Sequence, residues 1–266
     1  MEAGATVKEP PLVEFRNVTV VRGGRVALDG VSLAIGAGEH VAIVGPNGSG
    51  KSTLIKTITR ECYPVCSPNS WLHILGQDLW NIFDLRSLLG IVSTDLLNNC
   101  SLEIQAEELI ISGYFGSLGL WPHQPVNDQM RRKAAEIMQK LEIAHLARRS
   151  IHEMSSGELQ RALIGRALVH EPKALVLDEP SSNLDVRART ELLGALSRLA
   201  VEGTGIVMVT HHLEDILPQV ERVVLIKQGR LAGDGPKQHM LTSRRLSELF
   251  EMPVRVGRRN GRYFLW

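Results

Sequence analysis

The sequence predicts an α/β fold with a mostly parallel central sheet. Three observations carry that prediction. Short apolar runs, His40 to Val44, Ala174 to Leu177 and Ile206 to Thr210, are spaced by stretches of helical periodicity. A glycine-rich loop, GPNGSGKST from Gly45 to Thr53, separates the first run from a helix-favouring stretch. The second run ends in adjacent acids, Asp178-Glu179. Uniformly apolar strands that alternate with helices are buried on both faces, which is the pattern of a parallel sheet covered on either side.

Along the chain, Leu12 to Val21 alternates as a strand. Arg22-Gly23-Gly24-Arg25 is a turn, and Val26 to Ile35 a second strand. Helix is favoured from Lys51. Trp71 to Leu75 and Leu89 to Ser93 are further strand candidates. From about Asn98 to Ser155 the character becomes helical, with periodic segments at Glu103 to Ser112 and Asp128 to Leu141 around a looser stretch, Gly113 to Pro125. A helix follows Met154, another covers Arg187 to Val201, and Asn260-Gly261 between alternating apolar residues marks a terminal hairpin.

Composition narrows the function. The 266 residues carry 30 basic and 29 acidic side chains, net +1, and 44% are apolar. A near-neutral balance argues against a protein built mainly to bind nucleic acid. No stretch reaches the roughly 18 apolar residues of a membrane span. The start, MEAGATVKEPPLVEF, lacks the apolar segment of a signal peptide, so a cytosolic setting is expected. Cys62 and Cys66 with His73 supply only part of a zinc site, and with Cys100 they read as small buried thiols.

GPNGSGKST fits G-x-x-x-x-G-K-[ST] and lies between an apolar strand and a helix, as a phosphate cradle requires. Gly45, Asn47, Gly48, Ser49 and Gly50 let the backbone wrap around phosphates with N–H groups inward, and the helix N-terminus adds partial positive charge. Lys51 reaches the β- and γ-phosphates, Ser52 can ligate Mg²⁺, and Thr53 closes the motif. Asp178, at the carboxyl end of a buried strand, can hold Mg²⁺ directly or through water. Glu179 can orient and deprotonate an attacking water. Together they read as Mg²⁺-dependent nucleoside triphosphate hydrolysis; ATP as the nucleotide is implied only by the family resemblance below.

A third stretch narrows the reading. In Met154-Ser155-Ser156-Gly157-Glu158, Ser155 and Glu158 have the spacing of a capping box. The order and residues also resemble the signature of the ATP-binding cassette (ABC) family, usually written L-S-G-G-Q. The resemblance covers about Leu12 to Gly235 and includes Ser181-Ser182-Asn183-Leu184-Asp185 as the D-loop and His211, in Val-Thr-His-His, as the histidine that contacts the γ-phosphate. It implies a P-loop NTPase nucleotide-binding domain over 12–235: a RecA-like core (12–97 and 156–235), an N-terminal antiparallel β-subdomain and an inserted helical subdomain (98–155). Residues 1–11 would be a loose tail and 236–266 an extension of helix and hairpin. It further implies that Ser155, Ser156, Gly157 and Glu158 bind the ATP of a second cassette, so that two copies close head to tail as a homodimer on two ATPs. Asp185 would relay between sites. Ser155 would cap in one state and contact phosphate in another.

Two positions depart from the family pattern. Arg22 stands where an aromatic residue usually stacks on adenine, and it either stacks there or is a solvated strand end. Thr94 replaces a glutamine and would reach Mg²⁺ only through water. Ile110 to Leu120 lies where transporter cassettes dock a membrane subunit; Tyr114, Phe115, Leu118 and Trp121 are either anchors for that permease or filling for the subdomain's own core. That stretch resembles molybdate-related ModF-type ATPases, and the tail from Leu241 resembles the ends of iron-chelate and cobalamin importer ATPases. The expectation is an importer's ATPase subunit, peripheral on the cytoplasmic face of the membrane, for a metal-related, oxyanion or chelate substrate. A soluble single cassette with a regulatory or a ribosome- or nucleic-acid-linked role and no transport partner is the alternative; one cassette per chain and the short interval from Lys51 to Asp178 disfavour the ribosome and nucleic-acid forms, and the change at Thr94 keeps the regulatory form open.

Overall fold

A computed structural model describes residues 10–93 and 103–266. In chain order the strands are β1 (Val13–Arg22), β2 (Arg25–Ile35), β3 (His40–Val44), β4 (Trp71–Ile74), β5 (Leu89–Val92), β6 (Ala174–Asp178), β7 (Gly205–Thr210), β8 (Arg222–Lys227), β9 (Arg230–Pro236), β10 (Val256–Arg259) and β11 (Arg262–Leu265). The helices are α1 (Lys51–Ile58), α2 (Ile82–Leu88), α3 (Ala106–Ile111), α4 (Asp128–Lys140), α5 (Ser156–Leu168), α6 (Val186–Val201), α7 (Lys237–Met240) and α8 (Ser243–Phe250).

The central sheet has the order β5-β6-β7-β3-β8-β9. All its pairs are parallel except β8–β9. Its strands alternate sides because successive side chains point to opposite faces. Leu175, Leu177, Ile206 and Met208 face one apolar layer. Ala174, Val176, Val207 and Val209 face the other. The first layer continues into α3, α4 and α5, through Leu109, Ile137 and Leu163. The second is closed by a separate antiparallel sheet, β2-β1-β4, which contributes Phe15, Leu28 and Ile74. The fold is thus the α/β arrangement with an antiparallel β-subdomain that the sequence predicts.

Several details differ. The helix expected over Glu103 to Ser112 spans only Ala106–Ile111, and a 3₁₀ turn, Ser112–Phe115, takes over where Gly113 follows. Strands β8 and β9 were not anticipated. β9 (RLAGDGP) is an exposed antiparallel edge with two glycines and weak alternation. Cys62 is half-buried and Cys66 exposed rather than both buried; both are free thiols. His73 stacks on Trp71 with ring centroids 4.3 Å apart. Thr94, Cys100 and the expected tail before Pro10 lie outside the described residues.

Candidate functional site

The cradle forms where β3 runs out of the sheet. Gly45 is packed so closely that a Cβ there would lie 2.2 Å from the backbone oxygen of Ile226. Gly50, at φ 106°, caps α1 in a backbone conformation that other residues rarely adopt. The loop is braced from behind by the β8–β9 turn, where the Gly229 N–H donates to Ser49 O at 2.8 Å. Nothing in the sequence marked Gly229 for this task, because the pairing spans most of the chain. Lys51 is buried, and its ammonium donates to the carbonyls of Gly45 (2.8 Å) and Pro46 (3.0 Å). Burial lowers its pKa against the opposing charges of Glu179 and Asp178. Asn47, Gly48 and Ser52 are exposed on the open side, whereas Ser49 and Thr53 are buried.

Beside the cradle, β6 is buried throughout and delivers Asp178. Burial raises the Asp178 pKa, partly offset by a hydrogen bond with Ser52. Its Oδ1 is buried with no hydrogen-bond partner. A buried, unpartnered carboxylate oxygen next to a serine hydroxyl is a donor set that suits a hard divalent cation such as Mg²⁺.

Glu179 takes the next step of the chain at φ 49°, a left-handed conformation costly for a non-glycine residue. Its N–H donates to Val209 O at 2.9 Å, which fixes the turn to β7. Its carboxylate meets His211 Nδ1 at 2.9 Å and accepts from Ser182 Oγ at 3.2 Å. Lys51 Nζ is 3.8 Å away. Burial would raise the Glu179 pKa, but the His211 hydrogen bond and charge, followed by Lys51 and Ser182, hold it below the usual carboxylate range. Ser182, three residues on, was missed as its partner, although a turn returning from residue 182 to 179 is local enough to be read. Of the adjacent histidines, His211 touches Glu179. The His212 ring lies 3.9 Å from the His211 ring, centroid to centroid, tilted by 41°, and is exposed.

The remaining motif residues lie elsewhere. Ser155 N-caps α5 with both halves of the capping box formed: the Ser155 N–H donates to Glu158 at 2.7 Å, and the Glu158 N–H to Ser155 Oγ at 3.3 Å. Ser155 and Ser156 are exposed and Gly157 is buried. Among the described residues, no hydrogen bond or ion pair joins this turn to the cradle. Asp185 caps α6, accepting from the Ala188 N–H at 2.8 Å. Arg22 is exposed at the end of the β1–β2 hairpin, whose Ala27 and Leu28 lie against Gly50.

A separate groove of about 420 Å³ opens between α2, the Ser112–Leu118 segment and α5, lined by Arg86, Ser93, Gly116, Leu118, Arg166 and His170 among others. Tyr114, Phe115 and Leu118 are half-buried against the apolar core, and Tyr114 meets His170 edge-on at 5.2 Å. Trp121 is 54% exposed. Phe83, 64% exposed beside Gly116, was not anticipated.

The ABC transporter family model matches residues 28–182, more than half of the chain. The chain belongs to the ABC transporter family of ATPases. It hydrolyses ATP, and the hydrolysis is coupled to transport. The cassette is 32% identical over 259 residues to the uncharacterized ABC transporter ATP-binding protein YlmA of Bacillus subtilis, covering 96% of each chain. It is 30% identical over 262 residues to the hemin import ATP-binding protein HmuV of Bradyrhizobium diazoefficiens, covering 94% of this chain and 92% of that one. The dimeric structure of MJ0796, a bacterial ABC transporter cassette, superposes with a TM-score of 0.69 at 26% identity, covering 84% of this chain and 98% of that one. ABC cassettes form dimers and work with membrane permease subunits. No helix among the described residues is long and apolar enough to cross a membrane itself.

Proposed function

We propose that this cassette is the motor of an importer for a metal chelate of the haem type, acting as a head-to-tail homodimer at the cytoplasmic face of the membrane. The observation that carries the chemistry is Glu179, ionised and held between His211 and Lys51 at the end of the strand beside the cradle. The hemin-import relatives and the importer-like tail support the substrate class.

In this reading, the N–H groups of the Gly45–Gly50 loop and Lys51 hold the β- and γ-phosphates of ATP, while Arg22 stacks on the adenine. Ser52 and Asp178 hold Mg²⁺, which when bound neutralises charge that develops on the phosphates. Glu179 orients the attacking water and accepts its proton, and His211 holds the γ-phosphate while fixing the carboxylate. Ser155, Ser156 and Gly157 face the γ-phosphate of the partner cassette's ATP, with bare N–H groups at the start of α5. The Ser155 hydroxyl then leaves Glu158 for phosphate. Asp185 lies beside the partner's cradle. The permease seats a short helix in the groove lined by Gly116 and Leu118, beside Phe83, and closing of the dimer moves that groove.

The test is to capture tagged Glu179→Gln from gently solubilised native membranes with ATP present. An integral membrane protein in stoichiometric amount is the expected result, and its release by Phe83→Glu would map the contact. Recovery of ribosomes, of nucleic acid or of no membrane protein would retire the transport role and leave the ATPase chemistry standing.

A further inference from the structure

The chain holds the two halves of its site apart: His211 stands beside the cradle, and Ser155 starts α5. Helix α6 touches the surroundings of both. On one side, Asp215 is buried, with 1% exposure. Its Oδ1 accepts from Arg189 Nε at 2.7 Å and its Oδ2 from Thr210 Oγ1 at 2.9 Å. Thr210 precedes His211 in the chain. A buried carboxylate with each oxygen engaged cannot turn without leaving charge unpaired, so α6 is tied to the loop that carries His211.

On the other side, the same helix grips α5. Arg161, 6% exposed, donates from Nη1 to Glu191 Oε2 at 2.7 Å, and Arg187 Nε takes the other oxygen of that carboxylate at 2.9 Å. Gly157 is pressed against Ala188, so that a Cβ on the glycine would lie 2.6 Å from the alanine Cβ. Ala188 and Glu191, three apart, share one helix face. Arg189 and Glu191, two apart, point about 200° from each other. The sequence thus sets one residue toward His211 and the other toward the signature turn.

We infer that α6 is a connecting rod between the two half-sites of one chain, with Arg189 and Glu191 as its positioning residues. The inference rests on the head-to-tail reading above, in which His211 serves one ATP and Ser155 the other. Nucleotide engaged by His211 then sets the position of Ser155 through Arg189, α6 and Glu191. Neither residue touches ATP. Their effect is a coupling between the sites, and it must show as non-additivity between residues that share no contact.

The test is a double-mutant cycle on ATP-driven dimerisation, carried out in the full-length Glu179→Gln protein with Mg²⁺. The ATP concentration for half-maximal dimerisation is read for Glu191→Gln, His211→Ala and both together. Glu191→Gln is expected to raise it about fivefold or more when His211 is present, the lower end of ordinary coupling between sites, and less than about twofold in His211→Ala. Arg189→Gln should repeat the pattern. If that variant fails to fold, Glu191, whose side chain is 35% exposed, carries the test alone. An equal shift in both backgrounds, or none in either, overturns the rod while leaving the dimer intact. Absence of any ATP-driven dimer in Glu179→Gln removes the head-to-tail reading, and the rod with it.

Discussion

At the scale of single residues, the site depends on which charges are fixed and by what. Lys51 is held by two backbone carbonyls and two nearby acids, so its amine is positioned before phosphate arrives. Lys51→Ala should therefore weaken nucleotide binding at least about tenfold in a fluorescent-nucleotide titration, a loss of the size expected for one charge-assisted contact. Glu179→Gln keeps the contacts with His211 and Ser182 and removes only the proton acceptor. Turnover should fall roughly 10²–10⁴-fold with ATP affinity retained, as general-base loss predicts. Parent-like turnover in that variant would reassign the base. These residues were legible because each motif is contiguous: GPNGSGKST, the Asp178-Glu179 strand end and Val-Thr-His-His each carry their chemistry within a few positions. Gly229 and Asp215 were not, since their roles come from partners that the sheet order brings near, whereas Ser182 lay within reach of a local reading.

At the scale of elements, the capping box of α5 gives a pH-dependent term. The Ser155 N–H donates to the Glu158 carboxylate, which holds that carboxyl below its usual pKa, helped by Arg149 and Arg161. A depressed carboxyl stabilises the fold above its unfolded-state pKa, and the contribution is lost as pH falls through the lowered folded value. Thermal unfolding followed from pH 6 down to pH 3 should show a smaller decline for Glu158→Gln than for the parent. The opposite order would show that the contact does not hold the charge. Ser155→Ala removes the cap itself and should cost about 0.5–2 kcal/mol of stability at neutral pH. In β6, Leu177→Ala opens the packed layer beside α5 and should cost about 2–5 kcal/mol in chemical denaturation. Element type was readable wherever apolar periodicity was strong, as in β6, β7 and α6. It failed at β9, where an antiparallel edge needs little apolar content, and at the end of α3, where Gly113 turns the chain against Arg166 O.

At the scale of the molecule, one chain carries the cradle and, on another element, a helix start whose exposed serines make, among the described residues, no hydrogen bond to that cradle. The resemblance of Met154 to Glu158 to the family signature implied this separation. The geometry gives it a physical form, because α6 spans the interval and is bonded at either side. A groove with Ser93, just past β5, and Gly116 in its wall has exposed Phe83 beside it. On the docking proposed above, movement of one half-site against the other is passed to this groove. The exposed Phe83 was missed because a phenylalanine in a short helix reads as core until its surroundings are known.

In the head-to-tail dimer proposed above, two copies share two ATPs. Light scattering on purified Glu179→Gln, with Mg²⁺ and with or without ATP, tests it most directly. A monomer without nucleotide and twice that mass with ATP are expected, with reversion to monomer when Ser155→Arg is added. A Glu179→Gln protein that binds ATP yet stays monomeric at micromolar concentration would contradict it.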